Sequence, residues 1–207
     1  MKMQNILRAL VQQYAPKSAK KYLWDHEFSS GRWNFLDKIG DERGHPQIEK
    51  YAAKGHILDL GCGSGTTSVE LDATAYISYT GVDISNVAVE KAKIRAQEAG
   101  RESRNAYHQS DIFTYIPQRK YEVILFGDSI YYFPHNQVHL LLMRYSKYLA
   151  SDGVFLVRMF DANGKHGRIL EIIESHYQVC EKELLKKDSA EACIIAFRPS
   201  DQTARTA

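Results

Sequence analysis

Apolar residues along the chain follow two periods, and the change between them divides it. Ile6, Leu7, Leu10, Val11 and Tyr14 recur at helical spacing over residues 1–14, and Pro16 ends the run. Residues 17–54 are mixed and rich in aromatics (Tyr22, Trp24, Phe28, Trp33, Phe35) and read as helix, loop, helix. The second helix starts at Pro46, a good first-turn residue, and ends before Gly55. From Gly55 onward, short apolar runs alternate with amphipathic ones. The pattern predicts strands at 56–60, 75–82, 106–108, 122–126 and 154–158. The run 122–126 (EVILF) is nearly continuous in apolar residues, as in a strand buried on both faces.

Helices fall between these strands. One carries Val69 and Leu71. A second is capped by Ser85, runs to about Ala99 and stops at Gly100. A third spans about 136–149 with Val138, Leu141, Leu142, Tyr145 and Leu149 on one side, before a turn at Ser151–Asp152–Gly153. A fourth spans about 167–175, and two last strands, near 177–184 and 191–198, can pair as a hairpin. Such βαβαβ alternation implies an α/β fold with a parallel sheet, helices on both faces and right-handed crossovers. Three regions follow: an N-terminal helical cap or lid over 1–54, a core over 55–198 and a polar, flexible tail over 199–207.

Composition adds exclusions. At 207 residues, with 44% hydrophobic and 25% charged positions, the chain fits one ordinary globular domain. Lys and Arg number 27 against 25 Asp and Glu, which speaks against a strongly basic nucleic-acid coat. Cys62, Cys180 and Cys193 are odd in number and widely spaced, so a disulfide framework is not expected. No run of 18 apolar residues suggests a membrane span, and no apolar block near the start suggests a signal peptide. The expectation is a soluble, cytoplasmic protein, monomeric or homodimeric, with no membrane partner.

The strongest chemical signal is Leu58-Asp59-Leu60-Gly61-Cys62-Gly63-Ser64-Gly65, a glycine-rich turn between a strand and a helix. Glycines at 61, 63 and 65 let the backbone turn sharply and let a ligand approach it. A dinucleotide fingerprint would place its third glycine at 66, which is Thr66, and no phosphate-binding lysine follows. Both phosphate readings therefore weaken. Asp83, 24 residues beyond Asp59, ends the next strand, where an acid accepts hydrogen bonds from ribose hydroxyls.

With these residues the chain resembles the class I S-adenosylmethionine (SAM)-dependent methyltransferases. LDLGCGSG is similar to their first motif and GVDIS, ending at Ser85, to their second. Gln109-Ser110-Asp111-Ile112 resembles the segment flanking the adenine, and Phe126-Gly127-Asp128-Ser129-Ile130-Tyr131-Tyr132 the fourth motif, beside the transferable methyl group. LASDGVFLV over 149–157 resembles the turn and fifth strand. The resemblance covers about residues 55–160. It implies a Rossmann-like, doubly wound, mostly parallel seven-stranded sheet with a C-terminal antiparallel hairpin. It also implies SAM as cofactor and S-adenosylhomocysteine (SAH) as product. Asp59 would serve the ammonium of the methionyl tail, directly or through water. Gly61, Cys62, Gly63 and Gly65 would form the loop beside that tail, and Asp83 would hold the ribose. Ile84 and Ile112 would form the adenine slot, with Ser110 and Asp111 at its edge, and Gly127 would lie near the methyl. The lack of a phosphate-binding lysine suits a cofactor without phosphate. Trp24 to Phe28, then Gly31-Arg32-Trp33, loosely resembles a segment of thiopurine-type small-molecule methyltransferases that folds over the cofactor; Trp33 is then a cofactor contact. The other reading packs Trp24 and Trp33 on the core.

The fourth motif lacks the prolines typical of enzymes that methylate amino groups of nucleic acids, and no Lys/Arg-rich arm is present. A small-molecule acceptor methylated at O, N or S is therefore expected, and nucleic acid is not. The alternatives are a SAM-binding module acting through a partner, and an RNA or protein methyltransferase. Asp128 and His135 are the candidate catalytic residues; His135 follows the fourth motif and has a side chain suited to proton removal near neutral pH, or it caps a helix after Pro134. His135 and His139 at i, i+4 do not make a zinc site, and Asp128, Asp161 and Asn163 match a Mg²⁺ site poorly, so no metal is expected. The N-terminal helix is either a lid over the site or a packing or dimer helix.

Overall fold

The computed structural model describes residues 2–34, 44–161, 164, 166–187 and 190–200. Seven strands form one sheet: β1 (His56–Leu60), β2 (Ser78–Asp83), β3 (Asn105–Gln109), β4 (Tyr121–Gly127), β5 (Leu149–Phe160), β6 (Tyr177–Lys187) and β7 (Ala190–Pro199). Their order is β3-β2-β1-β4-β5-β7-β6. The first five run parallel; β7 enters antiparallel between β5 and β6. This is the α/β fold that the alternation implies and the mostly parallel seven-stranded sheet with a C-terminal antiparallel hairpin that the resemblance implies. Strand order reverses at β1/β4, which leaves a crevice at the carboxyl ends of those strands.

The pleat of β1, β2, β4 and β5 sorts side chains into two cores. Ile57, Tyr79, Val123, Leu125, Val154 and Leu156 point to one face. There they meet Ile48 and Ala52 of α3 (His45–Ala52) and Val89, Ala92 and Ala96 of α5 (Asn86–Glu98). Leu58, Leu60, Ile124, Phe126, Phe155 and Val157 point to the other. They meet Val138, Leu141, Leu142 and Tyr145 of α6 (His135–Ser146) and Ile169, Leu170 and Ile173 of α7 (Gly167–His176). Between β1 and β2 lies the short α4 (Thr66–Glu70).

Four boundaries differ from the sequence expectation. β2 opens at Ser78 rather than Ala75, because Tyr76 turns inward to donate to the Ser68 carbonyl (3.0 Å) and contact Asn105 Oδ1 (2.9 Å). α6 ends at Ser146, and Leu149 belongs to β5, which continues through the expected turn with a register shift against Tyr121 and Val123 of β4. A Cβ at Gly153 would come within 2.7 Å of the Tyr121 carbonyl oxygen, so glycine permits that irregular stretch. Third, within the region 1–54, α3 packs on the sheet, while α1 (Lys2–Tyr14) and α2 (Lys17–Ser29) lie over the carboxyl ends of the strands. Fourth, Pro199 still pairs with Tyr177 within β7, while residues 201–207 of the expected tail lie outside the described residues, as does Phe35.

The cap is tied down by buried polar contacts. Glu27, on α2, is 4% exposed and accepts from the Arg8 guanidinium (2.9 Å to Nη2) and from Trp33 Nε1 (3.1 Å). Asp25 accepts from Ser85 Oγ at 2.7 Å, and Lys91 donates to the Phe28 carbonyl at 2.6 Å, fastening α2 to α5. α1 is oriented unexpectedly. Its apolar arc of Ile6, Leu7, Leu10 and Tyr14 is 51–66% exposed, while Arg8 and Gln12 face inward. Among the described residues no helix is long and apolar enough to cross a membrane.

Candidate active site

A cavity of about 580 Å³ opens at the carboxyl ends of the central strands, roofed by α1 and α2. Its floor is the glycine-rich turn. Gly61, Gly63 and Gly65 have φ of 91°, 54° and 76°, the left-handed region where a side chain costs energy. Their jobs differ. A Cβ at Gly65 would meet Ala92 Cβ at 2.8 Å, so this glycine allows α5 to pack close. A Cβ at Gly61 would meet Ser129 Cβ at 2.5 Å. A Cβ at Gly63 would find only Phe28, at 3.5 Å, and both Gly61 and Gly63 line the cavity.

Asp83 organises the next segment. Its Oδ2 accepts from the Gly63 amide at 2.9 Å and its Oδ1 from the Ser85 amide at 2.8 Å. Burial pushes its pKa up to about 6, and the two amides oppose that rise. Ile84, Asp111 and Ile112 continue the wall; Asp111 is held by accepting from the Phe113 amide at 2.8 Å. At the other end stand Gly127, Asp128, Ser129, Tyr131, Tyr132 and Arg158. Asp128, at φ 57°, forms an ion pair with Arg158 through Oδ2. Its Oδ1 is buried and has no hydrogen-bond partner among the described residues. Burial pushes the Tyr131 and Tyr132 phenols above their ordinary range, so both stay neutral at physiological pH.

The roof contributes Gln12, Lys20, Trp24, Phe28 and Trp33. Trp24 meets Tyr132 edge-on with 4.8 Å between ring centroids and lies 5.9 Å from Trp33. Gln12 is 5% exposed, lines the cavity, and its Nε2 has no partner among the described residues. Burial lowers the Lys20 pKa, and Asp111 opposes that effect.

Nine of the expected site residues thus line one cavity: Gly61, Gly63, Asp83, Ile84, Asp111, Ile112, Gly127, Asp128 and Trp33. Five do not. Asp59 sits beneath the turn, where its carboxylate accepts from the Tyr79 phenol. Cys62 is buried against Gly81, and burial pushes its thiol well up. Gly65 serves packing. Ser110 anchors its segment by donating its amide to the Asp83 carbonyl at 2.9 Å. His135 is exposed at the start of α6 and is not among the residues that line the cavity. His139 approaches Tyr177 and His176 rather than His135. Among the described residues no cluster of three or more His, Cys, Asp or Glu could hold a metal ion; Asn163 lies outside those residues.

Gln12, Lys20 and Arg158 were not legible as site residues. Arg158 carried a signal, a charged residue inside the apolar run Val154–Phe160. Gln12 carried none, since amphipathic spacing assigns it to the outside.

A glycine turn after β1, an acid at the end of β2 and an adjoining apolar slot thus meet at the switch point of the sheet, where open α/β folds bind ligands. Comparison with known proteins specifies the family. The family model for the methyltransferase domain matches residues 52–198, and the chain belongs to this family of class I SAM-dependent methyltransferases, enzymes whose cofactor is SAM. An mRNA cap guanine-N(7) methyltransferase of Schizosaccharomyces pombe is 28% identical over 154 residues, covering 69% of this chain and 42% of that protein. A 27-O-demethylrifamycin SV methyltransferase of Amycolatopsis mediterranei is 24% identical over 119 residues, covering 54% and 44%. The chain thus spans less than half the length of these curated relatives. Among solved structures, the N-methyltransferase NodS from Bradyrhizobium japonicum, in complex with SAH, superposes with a TM-score of 0.70 at 19% identity, covering 87% of this chain and 98% of that one. Magnesium protoporphyrin IX methyltransferase from Synechocystis, with bound SAM, gives 0.60 at 17% identity, covering 94% and 96%. These two likenesses concern the fold.

Proposed function

We propose that this chain transfers the methyl group of SAM to a small molecule that binds beneath α1. The observation that carries the reading is the roofed cavity itself. It runs from Asp83 to Arg158 and combines aromatic and aliphatic walls with polar groups at defined places, as small-molecule sites do.

In this reading Gly61 and Gly63 lie beside the methionyl tail, and Asp83 accepts from the ribose hydroxyls. Ile84 and Ile112 enclose the adenine, with Asp111 at its exocyclic amine. Asp59 supports the turn from below through Tyr79. Bound there, SAM supplies an electrophilic methyl group on a sulfonium. The chain's residues contribute alignment, worth up to ~7–11 kcal/mol in favourable cases, and exclusion of water.

Two unmatched polar atoms describe the acceptor. Gln12 Nε2 needs a hydrogen-bond acceptor, and Asp128 Oδ1 needs a donor. A molecule with an N–H, O–H or S–H at its reacting end and a carbonyl, ether or hydroxyl oxygen further out satisfies both. Among the described residues no histidine lines the cavity directly, His166 stacking behind Tyr131 at 4.3 Å between ring centroids, and Asp128 is already engaged by Arg158. Amines and thiols therefore suit the site best, since they need no strong base.

The competing reading is an RNA acceptor, favoured by the likeness to the cap guanine-N(7) methyltransferase. Methyl-labelled SAM would be offered with a panel of amines, thiols and phenols, and separately with total RNA. Label in a low-mass product supports the proposal; label in RNA alone would overturn its small-molecule part.

A further inference from the structure

α1 is an amphipathic helix mounted inside out. A surface helix normally turns its apolar stripe to the core. Here Arg8 and Gln12 face the protein, while Ile6, Leu7, Leu10 and Tyr14 occupy one exposed arc. The inward side is committed, since Arg8 is clamped by Glu27 and Gln12 lines the cavity. The outward arc cannot be covered by rotating the helix without breaking those contacts. A contiguous exposed apolar stripe marks an interaction surface.

We propose that this stripe docks on an anionic membrane surface, with α1 lying in the headgroup region above the cavity that it roofs, a peripheral contact in place of the expected absence of a membrane partner. Three observations select that occupant. First, charge: no Asp or Glu occurs before Asp25, and residues 2–34 carry six Lys and Arg against two acids. Arg8 and Lys21 pair with those two acids and Lys20 lines the cavity, while Lys17 on α2 and Arg32 just after it are exposed. The rest of the chain carries a small negative balance, so the positive excess belongs to the cap. Basic residues beside an apolar helix face are the pattern of interfacial binding. Second, area: a stable dimer needs about 20–30 residues a side, and four side chains on one 13-residue helix fall far short. A lipid surface accepts a narrow stripe by letting it sink in. Third, Tyr14 and, on α2, Tyr22 are 66% and 77% exposed. Tyrosine pairs an apolar ring with a polar tip and suits the headgroup level.

The same helix therefore faces lipid on one side and, through Gln12, the cavity on the other. The inference goes beyond the proposed methyl transfer and does not depend on it.

The test is flotation of the full chain with phosphatidylcholine vesicles and with vesicles of phosphatidylcholine and phosphatidylglycerol. Wild type should float with the mixed vesicles, more weakly with phosphatidylcholine alone, and less as salt is raised. Leu7→Glu/Leu10→Glu should lower vesicle affinity about a hundredfold, given two apolar anchors replaced by charges. Both positions are exposed, so SAH affinity and Tm should stay at wild-type values, and Leu7→Ala/Leu10→Ala provides a milder pair. Absence of wild-type flotation overturns the proposal, whether or not SAH binds. So does flotation that both double variants retain. A dimer that the same substitutions dissolve, without vesicle binding, would assign the stripe to a second copy instead.

Discussion

Gly63 donates its amide to Asp83 Oδ2 at 2.9 Å, which joins the turn after β1 to the acid that ends β2. The partner oxygen, Oδ1, accepts from Ser85, whose own hydroxyl caps α5. One buried carboxylate thus sets the glycine turn, the helix start and a wall of the cavity together.

That carboxylate makes cofactor affinity depend on pH. Its pKa lies near 6, above its ordinary value of 3.8, because burial disfavours the charge. The protonated form is favoured by the fold, so the contribution of Asp83 to stability is full below 3.8 and is lost as pH rises through about 6. Ligand binding runs the other way, since ribose hydroxyls donate best to the ionised group. SAH affinity should therefore fall as pH drops below about 6, approaching tenfold per unit. Calorimetric titrations across that range check it, and Asp83→Asn should flatten the profile.

The glycines of the turn should separate stability from binding. Gly65→Ala drives a Cβ into Ala92 and should cost about 1–3 kcal/mol, read as a Tm lowered by roughly 3–10 °C. Gly63→Ala meets no close neighbour, at 3.5 Å from Phe28, and should cost only about 1–2 kcal/mol of left-handed strain. Its Cβ enters the ligand space, so it should lose SAH affinity at least as strongly as it loses stability.

Gln12 should show a trade-off. Its buried, unmatched Nε2 is a cost to the fold of about 1–3 kcal/mol. Gln12→Leu should raise Tm and leave SAH affinity unchanged, while lowering kcat/KM for the methyl acceptor. A parallel fall in SAH affinity would place Gln12 at the cofactor instead.

Glu27 holds the roof. Glu27→Ala removes the carboxylate that Arg8 pairs with and that accepts from Trp33 Nε1. The expected loss is about 1–3 kcal/mol, below that of a fully buried pair because Arg8 is partly exposed. Hydrogen exchange over α1 and α2 should quicken while β1 and β4 stay protected. Deleting residues 1–14 should reduce turnover sharply if α1 is a lid; unchanged turnover would rule that role out.

Much of this was readable from residues in order. Strand and helix alternation after Gly55 depends on local period, and β1, β3, β4 and α5 fall within a few residues of expectation. The glycine turn and Asp83 were legible because turn chemistry is local. What escaped depends on tertiary contacts. β5 continues past Ser151–Gly153 because Leu149 and Val154 pair with Tyr121 and Val123 of β4 on either side of an irregular stretch, and a turn-like triplet conceals that. His135 looked catalytic by its place after the fourth motif, but the first turn of α6 carries it outward. Gln12 was hidden by the rule that polar helix positions face water. Arg8 and Glu27 reverse that rule here, and only a contact 19 residues apart reveals it.

The most direct measurement is calorimetric titration of SAH into wild type and Asp83→Ala, with NADH as a parallel control. Wild type should bind SAH in the micromolar range and NADH not at all. Asp83→Ala should bind about tenfold to a hundredfold more weakly, the loss of a charge-assisted hydrogen-bond site worth ~1.5–3 kcal/mol. No SAH binding by wild type, or equal binding by the variant, would contradict the assignment of this cavity to the methyl donor.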